Sequence, residues 1–241
     1  MKNFNPRAFF SYIDNRTTEK HNVSSLLVNN SSLHSDCDKA NALSGQYSSV
    51  FTRDNLLQPH FDQKMPVNSL TGVEVEETNI VEAIQQMNKG SAPGMDEISP
   101  LFISKVFPNL VKPLGIIFKK SLETGNLPLD WKSGLIVPIY KSNGKPHDCS
   151  SYRPVCLTSI VCRILESVIR KQLVNFLVQN GLISDHQHGF MSGRSTCTNL
   201  LSCLRDWTSL ANDNVCFDVI YLDFAKAFDT VSHQKLLQKI K

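Results

Sequence analysis

Val215-Cys-Phe-Asp-Val-Ile-Tyr-Leu-Asp223-Phe-Ala-Lys-Ala-Phe228-Asp229 is the stretch on which the reading of this chain turns. Val215 to Leu222 are mostly apolar, β-branched or aromatic, and Asn212-Asp213-Asn214 precedes them, so the run is expected to be a buried strand that delivers Asp223 at its end. On residue type alone, a carboxylate at a strand end is more often a turn-former than a metal ligand. A further helix is expected from near Ser232, and it is still running at Lys241. The domain is therefore expected to be cut short within that helix.

Upstream, Leu135-Ile-Val-Pro-Ile-Tyr140 and Val155-Cys-Leu157 flank Lys141-Ser-Asn-Gly-Lys145 and Tyr152-Arg153-Pro154, a pattern for a β-hairpin with a long tip whose ends carry Lys141 and Arg153. Helices surround it. Thr78 can cap one whose face is Ile80, Val81, Ile84 and Met87, stopped at Asn88-Lys89-Gly90. Ser99-Pro100 is an N-cap with proline at the first helical position, and the region runs to Gly125 with breaks expected near Pro108 and Pro113. Thr158 is expected to open a long helix with Ile160, Val161, Ile164, Leu165, Val168 and Ile169 on one face, closing at Asn180-Gly181. The loop Ser184 to Ser195 leads to a helix bearing Leu200, Leu201, Leu204 and Trp207. An amphipathic helix from Asp36, with Ala40, Leu43, Tyr47, Val50 and Phe51, closes near Thr52. Residues 1 to 35 read as a linker, and a polar connection with Pro59 and Pro66 follows the first helix.

Composition is that of a globular chain: 241 residues, 41% hydrophobic and 20% charged. No stretch reaches the ~18 uninterrupted apolar residues of a membrane helix, and no apolar region follows Lys2 and Arg7 as in a secretory leader. Seven scattered cysteines show no metal-finger spacing, and they read as reduced, mostly buried thiols. The net charge of +3 is uneven. Residues 1–130 carry 12 Lys and Arg against 14 Asp and Glu (net −2), and residues 131–241 carry 13 against 8 (net +5). The motifs lie in the basic half, although charge alone fits a solvated surface equally well.

Val219-Ile-Tyr-Leu-Asp223-Phe-Ala-Lys-Ala-Phe228-Asp229 resembles the first catalytic motif of the reverse transcriptases of non-long-terminal-repeat (LINE-type, jockey-like) retrotransposons. Ile136-Val-Pro-Ile-Tyr-Lys141 and Asp148-Cys-Ser-Ser-Tyr-Arg153-Pro-Val-Cys-Leu157 resemble that family's fingers motif. Gln187-His-Gly189-Phe-Met-Ser-Gly-Arg194-Ser-Thr196 resembles its template-side loop, with His188 and Met191 as departures. Ser91-Ala-Pro-Gly-Met-Asp96 resembles a further block, an ordered turn given no chemistry here. Asn41 to Thr52 resembles the helix that connects endonuclease to polymerase. The likeness spans roughly residues 36 to 241 in ordered blocks.

The resemblance implies an α+β fold: the fingers and incomplete palm of a right-hand polymerase, helix-rich with one β-hairpin and a palm strand. Residues 1–68 would be an amino-terminal connector, 69–214 the fingers region and 215–241 the start of the palm. It also implies RNA-directed DNA polymerase activity, in which two Mg2+ ions about 4 Å apart activate the primer hydroxyl and hold the triphosphate. Asp223 would bind both ions, with the Phe224 carbonyl supporting the second and the Ala225 to Ala227 backbone bordering the triphosphate. Phe228 would exclude the ribose 2′-hydroxyl by bulk, or simply pack in the core. Lys141 and Arg153 would contact triphosphate oxygens, the guanidinium as a two-pronged donor, with Lys145 able to assist. Gln187, Gly189 and Arg194 would lie along the template, with Ser195 also capping the next helix.

The partners implied are an RNA template, a DNA primer and deoxynucleoside triphosphates, with no membrane, and the nucleus is the expected compartment by resemblance. The family's remaining metal ligands are an Asp-Asp pair on a later hairpin, and this sequence contains no Asp-Asp dipeptide. The chain alone is accordingly expected to be inactive. Two other readings stay open: a non-catalytic nucleic-acid-binding remnant of such an element, and a relic that does not fold.

Overall fold

The computed structural model describes residues 23–52, 55, 57 and 69–240. The expected linker lies outside the described residues as far as residue 22, as does the connection with Pro59 and Pro66. The fold is α+β, and the chain divides into two compact units. Unit one comprises Met1–His60, Gly134–Leu157 and Lys226–Lys241, and unit two comprises Phe61–Ser133 and Thr158–Ala225.

Unit one opens with strands β1 (Leu26–Val28) and β2 (Ser31–Leu33), antiparallel with Leu26 opposite Leu33. Asn29 and Asn30 make the two-residue turn, both with left-handed backbone (φ 51° and 64°), which asparagine tolerates better than most side chains. Helix α1 (Asp36–Ser48) follows, capped by the Ser35 hydroxyl, which accepts from the Asp38 amide at 3.2 Å. Its Leu43 and Tyr47 are buried with Leu26, Cys149 and Tyr152 in a small core. Strands β3 (Gly134–Tyr140) and β4 (Tyr152–Thr158) pair as the hairpin expected from sequence. Helix α6 (His233–Ile240) completes the unit.

Unit two is built on α2 (Glu77–Gln86), α3 (Pro100–Thr124) and α4 (Ile160–Gln179). Their apolar faces meet in one core: Ile80 and Ile84 from α2, Leu114 and Phe118 from α3, Ile164 and Val168 from α4. Phe118 is fully buried with its ring edge-on to Trp131, centroids 5.8 Å apart. Across the outside, Lys171 of α4 pairs with Glu82 of α2. The side-chain amide of Gln172 exchanges hydrogen bonds with the backbone of Glu74, accepting at 2.9 Å and donating at 2.6 Å.

Four boundaries differ from expectation. Helix α1 ends at Ser48 rather than near Thr52, leaving Val50 and the exposed Phe51 outside it. Glu76, not Thr78, occupies the cap position of α2; Thr78 lies in the first turn and donates to the Glu76 carboxylate at 3.2 Å. Helix α3 continues through Pro108 and Pro113, whose rings lie on its exposed side, and ends at Gly125 in left-handed backbone (φ 66°). Thr158 ends β4, and Ser159 is the cap residue of α4. By length and composition α3 could cross a bilayer. Its burial is one-sided, however, with Ile103, Val111, Leu114 and Phe118 inward and Lys105, Lys112, Lys119 and Lys120 exposed, the pattern of a helix packed on one flank.

The largest departure is at Val215 to Leu222, which forms no strand and is not buried. Its apolar residues stand in solvent, Ile220 at 81% and Leu222 at 88% exposure. Among the described residues no strand pairs with it. Apolar composition favours burial, but only a neighbouring ladder or packed face can hold a single extended segment. Helix α5 (Thr196–Asn212) forms as expected, yet none of its residues is buried either. All seven cysteines are free thiols, as read from sequence, but only Cys149 and Cys162 are buried, so the expectation of mostly buried thiols fails. Burial pushes the Cys162 thiol up to about 11, with the neighbouring Glu166 carboxylate adding to the shift.

Phe118→Ala should lower the unfolding free energy of unit two by about 3–5 kcal/mol in urea titration, because the emptied space is lined by three helices. Lys171→Ala should cost under about 1 kcal/mol, since the pair it breaks is half-exposed. A Phe118→Ala loss no larger than that of Lys171→Ala would contradict this picture of the core.

Candidate functional site

The hairpin tip between β3 and β4 is fixed by its own polar groups. Asp148 accepts from the Ser150 amide at 2.8 Å, a bond that holds its carboxyl below the usual carboxylate range. The hydroxyl of Tyr140 donates to the Gly144 carbonyl. That of Tyr152 donates to the Pro146 carbonyl at 2.6 Å, which also accepts from Ser24 at 2.7 Å. The two tyrosine rings lie 5.7 Å apart. At Gly144 an added Cβ would fall 2.1 Å from the Ser151 hydroxyl, so the turn closes only around glycine. From the side, the Leu27 amide of β1 donates to the His147 carbonyl at 2.7 Å.

This frame carries both expected cations. Lys141 follows β3 directly, and its ammonium donates to the Ser150 carbonyl at 2.7 Å, leaving two of its three donors uncommitted among the described residues. Arg153, the second residue of β4, is exposed and has no hydrogen bond or ion pair among the described residues. Lys145 lies exposed within the tip. The hairpin therefore carries an exposed guanidinium on β4 and a partly engaged ammonium after β3, both on hydrogen-bonded backbone, groups suited to the oxygens of an anion. The β1–β2 hairpin that buttresses the tip was missed in the sequence, although Asn29-Asn30 between Leu26-Leu-Val28 and Ser31-Ser-Leu33 is a readable turn signal.

In unit two the Ser184–Ser195 loop is organised by Arg194. Its Nη1 donates to the Asp185 carbonyl and, at 2.9 Å, to that of Gln187, and its Nη2 lies 3.4 Å from the Asp185 carboxylate. Gln187 donates from its side-chain amide to the Gly189 carbonyl at 3.0 Å. Ser195 and Thr198 form a reciprocal capping box at the start of α5, and Thr198 also lies 2.9 Å from His188 Nδ1. The three residues expected along the template are thus one hydrogen-bonded loop, with the guanidinium largely committed to its own backbone.

Asp223, Phe224 and Ala225 lie on the exposed segment after α5, with Asp223 outside any strand. Phe228 sits in the turn at residues 225–230 within unit one, where it lines a groove with Phe51 and His233. Core packing, the alternative reading of Phe228, does not hold: it is 77% exposed. Among the described residues no group of three or more His, Cys, Asp or Glu could hold a metal ion. The donors present do not fit a two-ion centre, since one solvated carboxylate cannot fix the spacing of two hard cations.

Arg194→Ala should release the loop while leaving α5 helical. Cleavage by chymotrypsin after the exposed Phe190 should quicken at least about fivefold, reflecting the lost hydrogen bonds; an unchanged rate would show that the guanidinium does not brace the loop.

Residues 139–241 match the reverse transcriptase (RNA-dependent DNA polymerase) family. The chain is 29% identical over 191 residues to the probable RNA-directed DNA polymerase from transposon BS of Drosophila melanogaster, covering 79% of this chain and 20% of that protein. Over 189 residues it is also 29% identical to the RNA-directed DNA polymerase from mobile element jockey of the same fly, covering 78% and 20%. The probable polymerase from transposon X-element matches at 26% over 190 residues. This chain spans about one fifth of the length of these relatives. The hairpin tip with β4, the glycine-bearing loop and the Asp223 segment fall inside the matched range, so residues 139–241 are similar to reverse transcriptases and the chain to the RNA-directed DNA polymerases of jockey-like mobile elements.

Proposed function

We propose that this chain supplies the triphosphate-contacting hairpin, the template-side loop and the first metal-ligand aspartate of an RNA-directed DNA polymerase that copies a retrotransposon RNA. The observation that carries the reading is the hairpin: Arg153 is exposed, without an ion pair or hydrogen bond among the described residues, on the strand that leaves a tip braced by Tyr140, Asp148 and Tyr152. In the complete right-hand polymerase, fingers and palm included, two Mg2+ ions would supply the charge neutralisation and activation of the primer hydroxyl.

The residues of this chain have simpler tasks. Arg153 and Lys141 bind and orient triphosphate oxygens, Arg153 as a planar fork and Lys141 as a point charge. Phe228 excludes a ribose by bulk. Gln187, Gly189 and Arg194 lie beside the template backbone, with Arg194 shaping the loop as well as lending it charge. RNA template, DNA primer and deoxynucleoside triphosphates are the partners, and the nucleus is the place of work.

A second reading, a nucleic-acid-binding remnant without catalysis, draws on one observation: Asp223 lies on a solvated segment, and among the described residues no companion carboxylates are grouped with it for a metal. The two readings differ in nucleotide dependence. Under the first, the purified chain retains dGTP in equilibrium dialysis, and Arg153→Ala weakens retention roughly tenfold or more, the worth of a charge-assisted hydrogen bond. Under the second, Arg153→Ala leaves dGTP retention unchanged, and only RNA binding that weakens with salt is seen. Both expect no primer extension by this chain alone; extension with Mg2+ would contradict the assignment of a single isolated metal ligand.

A further inference from the structure

The Ser91-Ala-Pro-Gly-Met-Asp96 turn, given no chemistry from sequence, is gripped at two points. Gly94 is buried against the junction of β4 and α4: an added Cβ would lie 2.6 Å from both the carbonyl carbon and oxygen of Thr158 and 2.8 Å from the Ser159 nitrogen. These are backbone atoms, which cannot swing aside as a side chain could. From the first turn of α4, Arg163 reaches back to the same turn. Its Nη2 donates to the Ala92 carbonyl at 2.9 Å, and its Nη1 lies 3.4 Å from the Ser91 hydroxyl. The remaining guanidinium nitrogen, Nε, is buried without a partner among the described residues, a cost that marks the side chain as held in place by its surroundings.

The turn is itself rigid. Ser91 is bonded twice to the Asn88 carbonyl, Gly94 accepts from Glu97 at 3.1 Å, and Asp96 accepts from Ile98 at 3.2 Å. Ser159 is buried yet caps α4 with no side-chain hydrogen bond, so packing by the turn, rather than a cap bond, secures this helix start. The residue clasped, Thr158, is the last of the strand that carries Arg153.

We infer that the turn at residues 91–96 is a clasp on the β4–α4 junction, and that Gly94 and Arg163 are positioning residues that hold the outgoing end of β4 so that Arg153 is presented to a triphosphate. The inference rests on the triphosphate role proposed above. It gives a task to a block that touches no substrate, and it explains why glycine stands at 94 without any unusual backbone angle.

Two measurements on the full 241-residue chain test it together: equilibrium dialysis of radiolabelled dGTP with Mg2+, and amide exchange over residues 155–163. Gly94→Ala should force the junction away, weaken dGTP retention roughly tenfold and speed exchange across 155–163, while the urea transition of the α2–α3–α4 core persists. Arg163→Ala should act in the same direction, and Arg163→Lys, which keeps one donor for the Ala92 carbonyl, should recover most of the loss. If Gly94→Ala does not fold, the Arg163 pair decides. Should Arg153→Ala abolish retention while Gly94→Ala and Arg163→Ala retain dGTP like the unsubstituted chain, the positioning claim alone is overturned. Should Arg153→Ala itself change nothing, the triphosphate reading falls and the inference with it.

Discussion

An extended segment is only as fixed as the ladder it joins, and this constraint separates the two groups of residues proposed to act on a nucleotide. Strands β3 and β4 hold each other, and β1 and β2 do likewise. Val215 to Leu222 joins no strand among the described residues, and its apolar side chains are left in water. The cations of the hairpin therefore stand on rigid backbone, whereas the carboxylate of Asp223 does not. A hard cation is selected by ligand number and geometry, so the same aspartate that fits a metal centre in sequence does not make one here.

The hairpin shows how little apolar material a rigid tip requires. Its strands are largely exposed, and the cluster beneath the tip has five buried residues among those described. Order comes instead from polar groups paired at short range. Two tyrosine hydroxyls close on backbone carbonyls, Asp148 holds the Ser150 amide, and Gly144 lets the Ser151 side chain approach. Each net bond is worth only about 1 kcal/mol, but together they leave the tip few alternatives. Lys141 joins this network through one donor, and Arg153 stays outside it.

Much of this was legible from residues. Ser99-Pro100 and Gly125 bound α3, Ser195 caps α5, and the spacing of Ile80, Ile84, Ile164 and Val168 picked out faces that are buried. What failed did so for identifiable reasons. Apolar periodicity reports what a segment would gain by burial, not whether a partner is present to bury it; that is why the expectation of a buried strand at Val215–Leu222 fails. Thr78 and Thr158 are one or two residues from the true caps because cap geometry depends on backbone angles that sequence does not specify. Arg194 read as a phosphate contact, yet its donors turn inward to the Asp185 and Gln187 carbonyls, and no residue pattern marks which carbonyls a loop leaves unpaired. The Gly94 clasp was equally invisible, since the close approach is to backbone far away in sequence.

Amide hydrogen exchange over Cys216 to Phe224, set against Ile160 to Val168 in the same sample, tests whether the segment that carries Asp223 lacks the support the packed core has. The account expects the first stretch to exchange as fast as an exposed loop while the second, buried in the core of unit two, is strongly protected. Protection of Cys216 to Phe224 approaching that of Ile160 to Val168 would mean that the segment is held in a ladder after all, and the account of Asp223 as a carboxylate without a fixed support would be wrong.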